Sequence, residues 1–95
     1  MCTETCTQTV TVTNRHGLHA RPSLVIVKAV RKYDARVTIH RGNQIAEATS
    51  VLDLLSLGAV QGTKLLVSAK GPQAKEVIAA LLRLFDAEFE VDYED

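Results

Sequence analysis

The sequence predicts an α+β domain in which a four-stranded antiparallel sheet is covered on one face by three helices. Three observations predict it. Segments of period two and segments of helical period follow one another in the order βαββαβα. Between the second and third strands there is only a glycine-containing turn, too short for a parallel crossover. Both longer helical segments gather their apolar residues into one stripe, so each covers the sheet from one side and leaves its other face to solvent.

The elements follow in chain order. In "QTVTVT", Gln8 to Thr13, threonines alternate with Val10 and Val12, the pattern of a half-buried strand with a wet threonine face. From Arg21 the period lengthens: Pro22, Ile26, Ala29 or Val30 and Tyr33 recur at helical spacing. Arg21, Lys28, Arg31 and Lys32 fall on the other side. A proline early in the first turn suits a helix start. "ARVTIHRGNQIAEA" alternates Val37 and Ile39 with Arg36, Thr38 and His40, turns at Gly42 and Asn43, and resumes at Ile45, which reads as a hairpin. "TSVLDLLSLG" reads as a short helix capped by Thr49 or Ser50 and stopped at Gly58. "TKLLVSAK" puts Leu65, Val67 and Ala69 on one face of the last strand. The closing helix buries Ala74, Val77, Ile78, Leu81, Leu84 and Phe85.

The 95 residues fit one domain, with a folded core over residues 7–87 and an acidic tail over 88–95. Apolar residues are 46% and charged residues 23% of the chain, as in a soluble globular protein. No stretch approaches the roughly 20 apolar residues of a membrane span, and the polar N-terminus does not resemble a signal peptide. Cys2 and Cys6 are close enough that a bridge would close only a tiny loop, so a reducing cytoplasm is the expected location. Formal net charge is zero, yet residues 1–87 hold all eleven Lys and Arg against six Asp and Glu. That basic body favours an acidic protein or phosphate partner. Nucleic acid is disfavoured, since Tyr33, Tyr93, Phe85 and Phe89 are the only aromatics of the Phe, Tyr and Trp kind.

Chemistry concentrates in "NRHGLHARPS", Asn14 to Ser23, between the first strand and the first helix. His19 falls just before the helix N-terminus, where unpartnered N–H groups and the macrodipole stabilise an anion. Arg21 adds a guanidinium two residues on. A histidine so placed can attack an electrophilic phosphorus and hold the phosphoryl group on a ring nitrogen, while Gly17 frees the backbone to turn. Spacing alone leaves a second reading open, in which His19 is only a capping or surface residue. The sequence holds no convincing carboxylate pair, phosphate-cradling glycine loop or metal triad that would mark a self-contained enzyme. A ligand-sensing module, with the Gly58 to Gly62 loop lining a pocket, is the rival of another class.

"GLHARPS" resembles the active-site signature of the histidine-containing phosphocarrier proteins, HPr, of the phosphoenolpyruvate:sugar phosphotransferase system. "TSVLDLLSLG" resembles the stretch around the regulatory serine of that family, at the matching distance from the histidine. The likeness spans residues 7 to 87 and implies an open-faced β-sandwich. It implies that His19 accepts phosphate through Nδ1 from phosphorylated Enzyme I and passes it to an enzyme IIA domain, with Arg21 contacting the phosphoryl group. It implies that Ser50 is the serine modified in some bacteria by HPr kinase/phosphorylase. It implies a docking face in which Ala20, Leu24, Lys28 and Arg31 of the first helix join Val51, Leu52 and Leu55 of the short one. No cofactor or metal is implied, and a monomer that does not insert into membranes is expected.

His16 departs from the family pattern, which commonly has a small polar residue there. His16-x-x-His19 has too few ligands for zinc, but a second imidazole could shift the pKa of His19 or the lifetime of its phosphate. Ser50 is equally an ordinary N-cap. "TNRHGLHARP", "KGPQ" and the ending "LFDAEFEVDYED" look more like the nitrogen-related branch, NPr, whose relay regulates nitrogen or potassium physiology without sugar uptake. The acidic tail is a solvated end that could compete for the basic face.

Overall fold

A computed structural model describes residues 5–89. Cys2 and the tail residues Glu90, Asp92, Tyr93, Glu94 and Asp95 lie outside the described residues. The elements are β1 (Thr5–Thr11), α1 (Ala20–Val30), β2 (Arg36–Arg41), β3 (Gln44–Glu47), α2 (Val51–Ser56), β4 (Lys64–Lys70) and α3 (Ala74–Asp86). The sheet order is β1-β4-β2-β3, and every pairing is antiparallel. β4 is therefore central, paired on one edge with β1 and on the other with β2.

Period-two patterning decides which face is covered. Val10 opposes Leu65, Val37 opposes Ala69, and Ile39 stands between Val67 and Ala46, all of them buried. Ile26 and Val30 of α1, Leu54 of α2 and Val77, Leu81 and Phe85 of α3 close over that layer. The other face stays open, with Thr7, Thr9, Thr11 and Lys64 exposed and with Leu66 and Ile45 wet beside them. This is the open-faced sandwich, and each side chain moved from water to the core contributes roughly 25 cal/mol per Å² of apolar surface.

Three details refine the expected helices and hairpin. α1 begins at Ala20, so Pro22 is its third residue, and its buried face includes Ser23, Val25 and Val27 while Ala29 is only half-buried. Leu84 is half-buried at the edge of the α3 stripe. β3 contributes Ala46 to the core, whereas Ile45 points to solvent, because a two-residue turn with Gly42 at φ 58° sets the register by which Ala46 opposes Ile39.

α3 ends in an unusual way. Glu88 and Phe89 both adopt left-handed φ, 55° and 61°, and the Phe89 N–H bonds to Leu84 O at 2.8 Å. The turn folds the Phe89 ring back onto Phe85, edge to face with centroids 4.8 Å apart. Packing thus continues two residues past the stretch read as folded core, and it brings the chain to the loop before α1.

Candidate functional site

The site is the β1–α1 loop, and its shape comes from backbone bonding rather than side-chain bulk. Val12 is fully buried; its N–H donates to Thr63 O at 2.9 Å and its carbonyl accepts from Gly62 N–H at 2.7 Å. Asn14 then opens a tight turn closed by Gly17 N–H to Asn14 O at 3.1 Å, while Asn14 Nδ2 donates to Gly17 O at 2.6 Å. Gly17 takes φ 68°, and a Cβ there would overlap Ala59 O and come within 2.9 Å of Val60 Cα. Glycine is required twice over, for its φ and for this close approach. Leu18, buried, donates its N–H to Ala59 O at 2.9 Å and fixes the loop to the α2–β4 connection.

His19 follows as the N-cap of α1, with extended φ −88° and ψ −169°. Its carbonyl accepts the first helical bond, from Ser23 N–H at 3.1 Å. Its side chain makes no capping bond, and the residue is exposed. The N–H of Ala20 precedes that first helical donor and so has no intrahelical acceptor, while Pro22 has no N–H at all. The helix start therefore presents the positive end of the macrodipole beside an imidazole that makes no capping bond.

Around the ring lies an open depression of about 470 Å³. One wall is the loop, with Asn14, Arg15 and His16; the other is the helix start, with His19, Arg21 and Pro22; Glu88 and Phe89 close the end. The rings of His16 and His19 stand edge to face, centroids 5.8 Å apart at 87°. Arg21 thus joins His19 as expected from sequence, and His16 joins them both.

The other sequence-predicted residues fall on α1 and α2, which pack against each other. Ala20, Leu24 and Lys28 are exposed on α1 and Arg31 at its C-cap, Leu52 and Leu55 are exposed on α2, and Val51 is half-buried. Leu52 is 76% exposed while Leu54 and Leu57 are buried, so the latter pair anchors this segment in the core. Ser50 is the N-cap of α2, its Oγ accepting from Asp53 N–H at 3.2 Å. Asp53 Oδ2 accepts in turn from Glu47 N–H at 3.1 Å, tying the helix start to β3. The Gly58 to Gly62 loop serves as a wall for Gly17 and Leu18.

Four participants escaped the sequence reading. Asn14 carried a usable signal, since Asn at the first and Gly at the fourth position mark a β-turn. Val60, 63% exposed and next to Gly17, and the pair Glu88 and Phe89 carried none, because long-range folding alone brings them to the loop. Among the described residues no group of three or more His, Cys, Asp and Glu could hold a metal ion, and no helix is long and apolar enough to cross a membrane.

Comparison with known proteins agrees with this geometry. Residues 6–87 match the family described as the PTS HPr component phosphorylation site. The chain is 39% identical over 89 residues to the phosphocarrier protein NPr of Klebsiella oxytoca, covering 93% of this chain and 99% of that one. It is 42% identical over 77 residues to the phosphocarrier protein HPr of Vibrio cholerae, covering 81% and 91% respectively. A crystal structure of HPr from Thermoanaerobacter tengcongensis superposes with a TM-score of 0.86 at 31% identity, over 93% of this chain and 99% of that one. With its matching element order and a histidine-bearing loop ahead of the first helix, the chain belongs to the HPr family of phosphocarrier proteins.

Proposed function

We propose that this protein is a cytoplasmic, monomeric phosphocarrier that accepts a phosphoryl group on His19 from phosphorylated Enzyme I and passes it to an enzyme IIA domain. The phosphoryl group originates from phosphoenolpyruvate. One observation carries the reading: His19 caps a helix through its backbone alone, leaving an exposed imidazole beside the positive helix end and Arg21. A neutral ring nitrogen gives its lone pair to phosphorus; the N–P bond forms as the bond from phosphorus to the donor breaks, and that electron pair leaves with the donor. The phosphoryl oxygens then meet the N–H of Ala20 and the Arg21 guanidinium, both charge-assisted contacts. Delivery to the acceptor is the same displacement in reverse, with His19 as leaving group. Exposed Leu24, Leu52 and Leu55, with Lys28 and Arg31 beside them, suit a transient acidic partner that supplies the rest of the machinery.

The test is the intact mass of the protein after incubation with phosphoenolpyruvate and Enzyme I, beside His19→Ala. One acid-labile phosphoryl group, absent from the variant, is expected. Because the His19 side chain bonds nothing at the cap, His19→Ala keeps its stability within about 0.5 kcal/mol, so lost uptake is not lost folding. Uptake by His19→Ala would overturn the assignment, and no uptake by either would return the protein to the class of ligand-sensing modules.

Two readings of the relay differ in output: sugar uptake or its regulation, and a nitrogen-related regulatory branch. The near full-length alignment with the Klebsiella oxytoca NPr favours the second. Ser50 is proposed as a target of HPr kinase/phosphorylase only on the family resemblance. A phosphate there would replace a working N-cap and stand near the Asp53 carboxylate, which opposes it.

A further inference from the structure

We propose that His16 is a second cationic contact to the phosphoryl group on His19, so that His16 binds a proton more tightly when the carrier is loaded. This rests on the phosphocarrier reading and adds a residue to it. The His16 ring lines the same depression as the helix start, its centroid 5.8 Å from that of His19 and the two ring planes at 87°. A phosphoryl group carried by His19 projects beyond its ring into the shared depression, so at this ring separation a His16 ring N–H can turn to meet its oxygens in a charge-assisted bond of about 2.8 Å. The placement is not left to chance: Gly17, the next residue, is locked by Asn14 and by the closeness of Ala59 and Val60. The other charged groups facing this space are Arg15 and His19 on the loop, Arg21 on α1 and Glu88 after α3. Arginines stay cationic throughout, and the ordinary Glu range, near 4.3, is far below that of His, near 6.5. Of the residue types in this lining, histidine is the one whose ordinary range lies nearest neutral pH, and besides His19 itself that residue is His16.

A phosphoryl dianion favours the imidazolium, and by reciprocity the imidazolium favours the phosphoryl group. His16 in the loaded protein should titrate about 0.5 to 1 pH unit above its value in the unloaded protein, equal to a roughly 3- to 10-fold coupling. The experiment is an NMR titration of the histidine side chains, unloaded and then kept loaded by phosphoenolpyruvate and catalytic Enzyme I. His40, on β2 and bonded to Thr38 Oγ1 at 2.9 Å, is the internal control and should not move. In parallel, His16→Asn at a fixed phosphoenolpyruvate to pyruvate ratio should lose about 3- to 10-fold in its phosphorylation equilibrium at pH 6 and nothing at pH 9, well above the ordinary range of an imidazole. An unchanged His16 midpoint in a protein that does load overturns the His16 assignment while leaving the carrier intact. A loss equal at both pH values would do the same. A protein that never loads overturns the carrier reading and the His16 assignment with it.

Discussion

The carboxamide of Asn14 reaches three residues ahead and donates to the carbonyl of Gly17 at 2.6 Å, inside a turn that Gly17 N–H closes back onto Asn14 O. The residue is buried, and its Oδ1 has no protein partner. Gly17 O accepts also from His19 N–H at 3.0 Å, so the side chain of Asn14 and the backbone of His19 share one acceptor. Asn14 therefore sets the direction in which the chain enters α1.

Asn14→Ala removes that bond and also the orphaned Oδ1, so stability should fall by only about 1 kcal/mol. Phosphoryl acceptance should slow more, by about tenfold, because a reacting group held loosely loses its orientation. Urea unfolding and the rate of uptake from phosphorylated Enzyme I check both halves. An unaltered rate would show that the backbone bonds of the loop orient His19 without the Asn14 side chain.

Ser23 is fully buried in α1 and its Oγ finds no hydrogen-bond partner. An unpaired hydroxyl in the core is a burden, and alanine is the better helix former. Ser23→Ala should therefore raise stability by about 0.5 to 1 kcal/mol, read by thermal or urea unfolding. A destabilised variant would mean that Oγ has a partner in solution.

Ser50→Ala deletes the N-cap of α2 and leaves Asp53 N–H without its side-chain acceptor. The expected cost is about 1 kcal/mol, with Ser50→Asp recovering most of it as a competent cap. Uptake of phosphate on His19 should be unaffected by Ser50→Ala, since Ser50 is not among the residues around the His19 ring.

Charge reversal at Lys28 on α1 or Arg31 at its C-cap, both exposed, should weaken association with Enzyme I several-fold at low ionic strength and less at physiological salt. Calorimetry or surface binding across a salt series measures it. An effect that does not vary with salt would place the docking contact elsewhere.

Element order, the covered face and the position of the candidate phosphoryl-accepting histidine were legible along the chain. Val10, Val37, Ile39, Leu65 and Val67 alternate with polar neighbours, and such periods are local properties of the chain. His19 ahead of α1 and Ser50 at the cap of α2 were legible for the same reason, since helix ends depend on a few adjacent residues. The order β1-β4-β2-β3, the wet Ile45 beside the buried Ala46, and the turn of Glu88 and Phe89 toward the His19 loop were decided only in three dimensions. So was the value of Gly17, whose missing Cβ matters because Ala59 and Val60, more than forty residues away in the chain, occupy the space. Strand order and close approach depend on contacts between segments far apart in sequence, and one residue's neighbours along the chain carry no record of them.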